Sequence, residues 1–146
     1  PSPASGGRYL VIALLLALAG CATAPATTGQ GAIACRAPLK AMTQVDLYFG
    51  RNIPSGGEVS DTQWRQFLDE VVTPRFPDGL SVLDVYGQWK STRTGTIARE
   101  RSKRLSIIVP DAGAAAAQFE AIKAAYKQRF RQESVLQAEA GVCAAF

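Results

Sequence analysis

The sequence predicts an α+β domain in which two helices cover one face of a four-stranded antiparallel sheet. Three observations lead to this prediction. Four segments have strand character, two segments carry an apolar stripe at helical spacing, and their order along the chain is β-α-β-β-α-β. That order is the split-βαβ, or ferredoxin-like, arrangement, and it is expected within residues 35–146.

The first strand and the first helix have the clearest patterns. Residues 43–49 alternate between apolar and polar side chains, as a half-buried strand does, with Val45, Leu47 and Phe49 on the core face. After a turn-rich loop at 50–57, Ser60 and Gln63 form a capping box that starts a helix. The helix is expected to end before Pro74, and its apolar stripe consists of Trp64, Phe67, Leu68, Val71 and Val72.

A long hairpin follows, with strands at 80–89 and 96–109. In the first of these we expect Leu83, Val85 and Trp89 to face the core and Val82, Asp84, Tyr86 and Gln88 to face away from it. In the second, Leu105, Ile107 and Val109 form the core face.

A second helix is expected from Asp111 to about Gln132, with Phe119, Ile122, Tyr126 and Phe130 as its apolar stripe. Residues 133–140 form a weaker fourth strand that leads to Cys143.

The amino-terminal residues resemble a secretory leader. Arg8 precedes eleven apolar residues, Tyr9 to Ala19, a run too short to span a bilayer, and the segment closes on Leu-Ala-Gly-Cys21. The last four residues resemble the bacterial lipobox, in which the cysteine is acylated and becomes the new amino terminus. We therefore expect a lipoprotein signal peptide at 1–20, lipidation of Cys21 and a flexible tether at 21–34, because that segment has no charge and little bulk. Ala22 in place of an aspartate favours the outer membrane, facing the periplasm.

With Cys21 lipidated, Cys35 and Cys143 remain, and an exported pair predicts a disulfide. The first and last strands of this fold are antiparallel neighbours, so the start of one lies beside the end of the other. Two reduced thiols are the alternative.

Composition excludes several classes of function. The chain has no histidine, which removes the usual catalytic triads and histidine-based zinc sites. It has no phosphate-binding glycine motif, and we expect neither a cofactor nor a metal. The net charge of +4 falls to +3 without Arg8, which is too mild to predict nucleic-acid binding.

The sheet face without helices is the expected place for chemistry. Its predicted side chains are Asp46, Tyr48, Asp84, Tyr86, Gln88, Glu100, Ser102 and Arg104. This face could be hydrated, pair with a second copy in a homodimer, or bind a ligand or partner. A register slip of one residue would exchange the side chains of a strand between the two faces.

Three weaker signals have simple structural explanations. The charge run 99–104 fits a solvated strand or an attraction to anionic headgroups. An anion site at the start of the first helix is disfavoured by Glu58 and Asp61. Asp46 and Asp84 form a candidate carboxylate pair of undetermined separation.

Several short motifs occur in a recognisable order: Asp46 to Gly50, Trp64 to Phe67, residues 75–79, residues 86–89, and Glu100. Together they resemble a family of small bacterial lipoproteins catalogued only as a domain of unknown function. The resemblance covers residues 35–146 and supports the lipoprotein interpretation.

The sequence therefore favours a lipid-anchored binding or interaction module of the cell envelope, with an unknown protein or small-molecule partner. The alternative is a cofactor-free enzyme or small-ligand binder that uses Tyr48, Tyr86, Gln88, Glu100 and Arg104, with a homodimer as one form of it.

Overall fold

The computed structural model describes Pro1, Ser2 and residues 33–145. The predicted leader, the lipidation site Cys21 and most of the predicted tether lie outside these residues. The elements in chain order are β1 (Lys40–Gly50), α1 (Asp61–Phe67), β2 (Ser81–Lys90), β3 (Ile97–Val109), α2 (Ala116–Phe130) and β4 (Leu136–Ala144). Among the described residues no helix is both long and apolar enough to cross a membrane.

The four strands form one antiparallel sheet in the order β2-β3-β1-β4. The predicted α+β, ferredoxin-like fold is confirmed. Val45 opposes Ile107 and Leu47 opposes Leu105, so the core faces of the two central strands coincide. All four side chains are buried, together with the apolar stripe of α2.

An aromatic cluster joins both helices to β1. Phe49 lies 5.2 Å from Trp64 and 4.7 Å from Tyr126, measured between ring centroids, and Phe67 lies 5.1 Å from Tyr126. Such pairs contribute about 0.5–1.5 kcal/mol each beyond the burial of their area. The cluster fixes α1 and α2 over the end of β1, and the other face of that strand end carries the pocket described below.

Helix α1 begins as predicted and ends differently. The reciprocal hydrogen bonds of the Ser60–Gln63 capping box are both present. The α-helix stops at Phe67, and Leu68–Val72 form a π-helical turn in which the Thr73 N–H donates to the Leu68 carbonyl oxygen at 2.8 Å. The wider turn still buries Val72 and leaves Leu68 and Val71 half-buried.

Helix α2 starts five residues later than predicted. The Asp111 side chain accepts hydrogen bonds from the N–H groups of Gly113 and Ala114, which forms a turn instead of a helical cap. The helix ends at Phe130, and Arg131 adopts the left-handed conformation with φ of 55°.

The predicted orientation of β2 is wrong. Val82 opposes Leu105, and Tyr86 opposes Arg101, so Val82, Asp84, Tyr86 and Gln88 lie on the side of the sheet that faces the helices. Leu83, Val85, Gly87 and Trp89 lie on the open face. An ion pair confirms this register, because Lys103 beside the core contacts Asp84 at 2.5 Å.

The register differs because β2 is an edge strand. None of its ten residues is fully buried on either face, so the number of apolar residues on each face does not determine which face packs against the core. Only Val82 packs against the core.

Strand β4 begins at Leu136, three residues after the predicted start. Glu133 instead accepts hydrogen bonds from the hydroxyls of Ser91 and Thr92 in the hairpin turn. At the other end of β4, the expected disulfide joins Cys35 and Cys143, whose Cα atoms are 5.6 Å apart.

Candidate functional site

The open face of the sheet contains a pocket of about 270 Å³. We call it the open-face pocket, and its lining includes Tyr48, Trp89, Glu100, Ser102 and Leu136. All four strands contribute to the lining, and the segment between α2 and β4 adds Gln132 and Ser134. The volume is close to the lower limit of small-molecule sites.

Glu100 is the polar centre of the pocket. The residue is 7% exposed, and each of its carboxylate oxygens accepts one hydrogen bond. Trp89 Nε1 donates at 2.7 Å, and the backbone N–H of Asn52 donates at 2.9 Å. Within residues 33–145 no lysine or arginine forms an ion pair with it. A buried carboxylate without a counter-charge carries a desolvation cost, which its two donors offset only in part.

Gly50 makes room for this carboxylate. A Cβ atom at position 50 would lie 2.7 Å from the carboxyl carbon of Glu100, well inside van der Waals contact. On the other side of the strand, the Tyr126 hydroxyl donates to the Gly50 carbonyl oxygen at 2.9 Å. Burial raises the pKa of Tyr126, and the charge of Glu100 raises it further, so this hydroxyl keeps its proton. Gly50 is therefore held between Glu100 and Tyr126.

An ion pair lies beyond Tyr48 on the open face. Arg104 lies over the Tyr48 ring, 5.8 Å from its centroid, and forms a salt bridge with Asp46. Burial raises the pKa of Asp46, but hydrogen bonds from Arg104, Ser106 and Gln44 outweigh that effect and hold the pKa below its ordinary value. Asp46 and Arg104 therefore neutralise each other beside the pocket.

The structure brings together three of the five residues predicted for a ligand or partner face. Tyr48, Glu100 and Arg104 lie on the open face. By register the side chains of Tyr86 and Gln88 belong to the opposite face, yet both residues contribute to the lining of the open-face pocket, whereas Arg104 lies outside that lining. Sequence reasoning missed Trp89, which was assigned to the core, and it missed Gly50, whose importance depends on a residue 50 positions away.

The remaining charges form structural ion pairs on the helix side. Lys103, 7% exposed, contacts Asp61 at 3.4 Å as well as Asp84, and Arg51 contacts Asp61 at 3.1 Å. Arg101 pairs with Glu58. These pairs involve Arg101 and Lys103 of the charge run 99–104 and neutralise the start of α1, so the positive charges there do not form a free anion site.

The proposed carboxylate pair is also ruled out, because Asp46 and Asp84 lie on opposite faces of the sheet. In the described part of the chain there is no group of three or more metal-ligating side chains.

Three grooves are larger than the open-face pocket. One of about 390 Å³ includes the buried Arg51, whose charge is paired with Asp61. The other two lack this convergence of groups. One, of about 490 Å³, runs along the apolar and turn residues between Arg75 and Gly79 and the end of β3. The other, of about 390 Å³, lies beside Arg129 and Arg131, and Arg129 already pairs with Glu70. Neither groove has a buried charge in its wall.

A model of the family described as "Protein of unknown function (DUF3574)" matches residues 44–146. No curated protein matches the sequence. Solved structures that are similar to this chain include the following three. A phage SAM lyase in complex with S-methyl-5'-thioadenosine has a TM-score of 0.57 at 15% identity, covering 70% of this chain and 90% of the lyase. The phage SAM lyase in its apo state has a TM-score of 0.52 at 15% identity, covering 73% and 92%. CutA from Synechococcus elongatus PCC7942 has a TM-score of 0.46 at 12% identity, covering 72% and 80%.

Proposed function

This chain belongs to the DUF3574 family of proteins of unknown function, and we propose that it is a binding module tethered to the bacterial cell envelope whose open-face pocket takes a small molecule. The observation that carries the proposal is the convergence of a buried carboxylate, Glu100, with Tyr48 and Trp89 in one concave site. A mostly apolar cavity with a few placed polar groups is the usual form of a small-ligand site.

The fold is compatible with such a role. The phage SAM lyase of similar fold was solved with S-methyl-5'-thioadenosine, so a domain of this architecture can hold a small organic molecule. A cofactor-free enzyme would use the same pocket, and compounds that bind there would then be tested for turnover.

The pocket has a natural reporter in Trp89. The chain contains two tryptophans, and Trp64 lies in the core on the other side of the sheet. A library of small polar and aromatic compounds is screened by NMR against the full chain in detergent, following the two indole N–H signals. We expect hits that shift the Trp89 signal and leave Trp64 in place.

Two matched variants locate the hits. Ser102→Leu fills the pocket, whereas Ser81→Leu adds the same side chain at an exposed position of the open face outside it. Hits should fail to bind Ser102→Leu and bind Ser81→Leu normally. A library without any compound that moves Trp89, or hits that bind both variants equally, would refute the proposal.

The proposed localisation in the cell envelope is based on the leader and the Leu-Ala-Gly-Cys21 motif. We propose anchoring through acyl chains on Cys21, with the domain on the periplasmic side of the outer membrane. Palmitate labelling in a bacterial host tests it: the label should be lost in Cys21→Ala and kept in Cys35→Ala. Labelling that persists in Cys21→Ala would remove the anchor.

A second candidate is self-association through the open face. Leu136 and Leu83 are 63% and 45% exposed and lie at the two ends of one row across the sheet, through Tyr48 and Arg104. A second copy would cover both leucines and enclose the pocket. Sedimentation should then show a dimer that Leu136→Lys converts to a monomer, and a wild-type monomer at all concentrations would exclude this candidate.

A further inference from the structure

We propose that the ligand of the open-face pocket is a small organic cation, such as a quaternary ammonium group. This inference deepens the proposed function and rests on it. It starts from the one charge that the domain leaves uncompensated at the pocket, the carboxylate of Glu100.

Most other charges around the pocket are paired. Arg99 forms no ion pair among the described residues, but it is exposed and lies by register on the opposite side of the sheet. Arg104 and Asp46 pair with each other, and Arg93 pairs with Glu133 at 3.2 Å beyond the hairpin turn. The nearby cations Arg101 and Lys103 are on the opposite side of the sheet, where their own acidic partners hold them. Within residues 33–145, Glu100 is thus the wall group that keeps a net negative charge facing the cavity.

The two hydrogen bonds to Glu100 also hold its carboxylate in place. An indole N–H and a backbone N–H can only donate, so they fit a carboxylate that accepts at both oxygens. Gly50 leaves the space that lets the carboxylate occupy this position. The site therefore presents a fixed negative charge, which an anionic ligand would meet with repulsion.

The rest of the lining suits a cation with an apolar surface. Tyr48 and Trp89 supply aromatic rings, and Val85 and Leu136 supply apolar contact. Aromatic faces attract organic ammonium groups through the ring quadrupole, more strongly when the site is shielded from water. A methylated ammonium has no N–H to satisfy, so it needs only a charge and rings. The pocket has both.

The test compares three probes of nearly identical shape. Choline carries the positive charge, 3,3-dimethylbutanol replaces its nitrogen by carbon, and 3,3-dimethylbutyrate carries a negative charge. Each is titrated into the full chain in detergent up to concentrations on the order of 10 mM, and the Trp89 and Trp64 indole signals are followed. We expect choline to shift Trp89 alone, with at least tenfold higher affinity than the neutral probe and no binding of the anion.

Two variants assign the effect to the named groups. Glu100→Gln should weaken choline binding at least tenfold and leave the weak neutral binding unchanged. Tyr48→Leu should weaken choline binding severalfold, while Tyr48→Phe, which keeps the ring, should bind as the wild type does. An unshifted Trp64 signal and a cooperative melting transition above the temperature of the titration show that each variant is folded.

The outcomes separate this inference from the proposed function. Equal affinity for choline and the neutral probe would overturn the cation inference and leave the pocket as a small-molecule site. Preferential binding of the anion would overturn it in the same way. If none of the three probes shifts Trp89, the cation inference is wrong, and the library screen alone then decides the proposed function.

Discussion

Replacing Gly50 by alanine is the most direct test of the geometry at Glu100. The new Cβ would lie 2.7 Å from the carboxyl carbon of Glu100, so the carboxylate has to move. Moving it breaks the hydrogen bonds from Trp89 Nε1 and the Asn52 N–H. Gly50→Ala should therefore destabilise the domain, although alanine is ordinarily better than glycine in a strand.

The expected magnitude follows from those two bonds. A hydrogen bond to a charged group contributes about 1.5–3 kcal/mol, so the gross loss is about 3–6 kcal/mol. The displaced carboxylate borders an open pocket and regains water there, which offsets about half of the loss. The strand preference of alanine returns a further 0.5–1 kcal/mol, roughly. We expect a net decrease of about 1.5 kcal/mol in the free energy of unfolding.

Gly87→Ala is the matched control. Gly87 lies opposite Glu100 on β2, on the same open face, and a Cβ there would meet no atom within 4 Å. Urea unfolding should show Gly87→Ala as stable as the wild type or slightly more so. In a Glu100→Ala background the clash is absent, so Gly50→Ala should no longer lower the free energy of unfolding. The coupling energy between the two substitutions should then be about 2 kcal/mol. Equal stability of Gly50→Ala and Gly87→Ala, or an unchanged cost in the Glu100→Ala background, would refute the reasoning.

Three further predictions concern the support of the site. Tyr126→Phe removes the hydrogen bond to the Gly50 carbonyl oxygen and should cost about 1–2 kcal/mol in urea unfolding, whereas a variant as stable as the wild type would show that the bond contributes nothing. Replacing Cys35 and Cys143 by alanine opens a crosslink that spans 108 residues and should cost about 4–5 kcal/mol, and thiol labelling of either cysteine in the oxidised wild type would contradict the disulfide. Hydrogen bonds lower the pKa of Asp46 in the folded state. The stability that Asp46 contributes is therefore present above its unfolded pKa of about 3.9 and is lost as the pH falls through its folded pKa. The free energy of unfolding should fall less steeply with decreasing pH in Asp46→Asn than in the wild type, and identical curves would exclude this contribution.

The parts of the fold that the sequence predicted correctly are those with a complete pattern on one face. β1 is a central strand covered by both helices, so each of its core positions has to be apolar, and alternation alone gives its orientation. The stripe of α2 is buried for the same reason, and the capping box of α1 is a local motif that needs no tertiary information. The late start of α2 was harder to predict from the sequence, because Asp111 can either cap a helix or form a turn through its side chain.

Edge strand β2 shows where periodicity fails. Its odd-numbered positions carry Leu83, Val85 and Trp89, and counting apolar residues assigned them to the core. The helix side needed something else from this strand, namely a carboxylate for the buried ammonium of Lys103, and Asp84 provides it. Asp84 contacts the ammonium more closely than its other partner, Asp61, does, and this compensation of a buried charge favours the observed register over one that buries Leu83.

The register of β2 could in part be predicted from the hairpin itself. With a turn at residues 91–96, Trp89 opposes Ala98 and lies diagonal to Glu100, within reach of a long side chain. An indole N–H beside a carboxylate forms a favourable hydrogen bond. If Trp89 faced the core, it could not form this bond with Glu100. This signal is not decisive, however, since the N–H of Trp64 is buried with no hydrogen-bond partner among the described residues. What turns the diagonal pair into a site is the missing side chain at Gly50, on the far side of β3. The importance of Gly50 can be predicted only once the pairing of β1 with β3 is known, because this pairing places the glycine next to the carboxylate of Glu100.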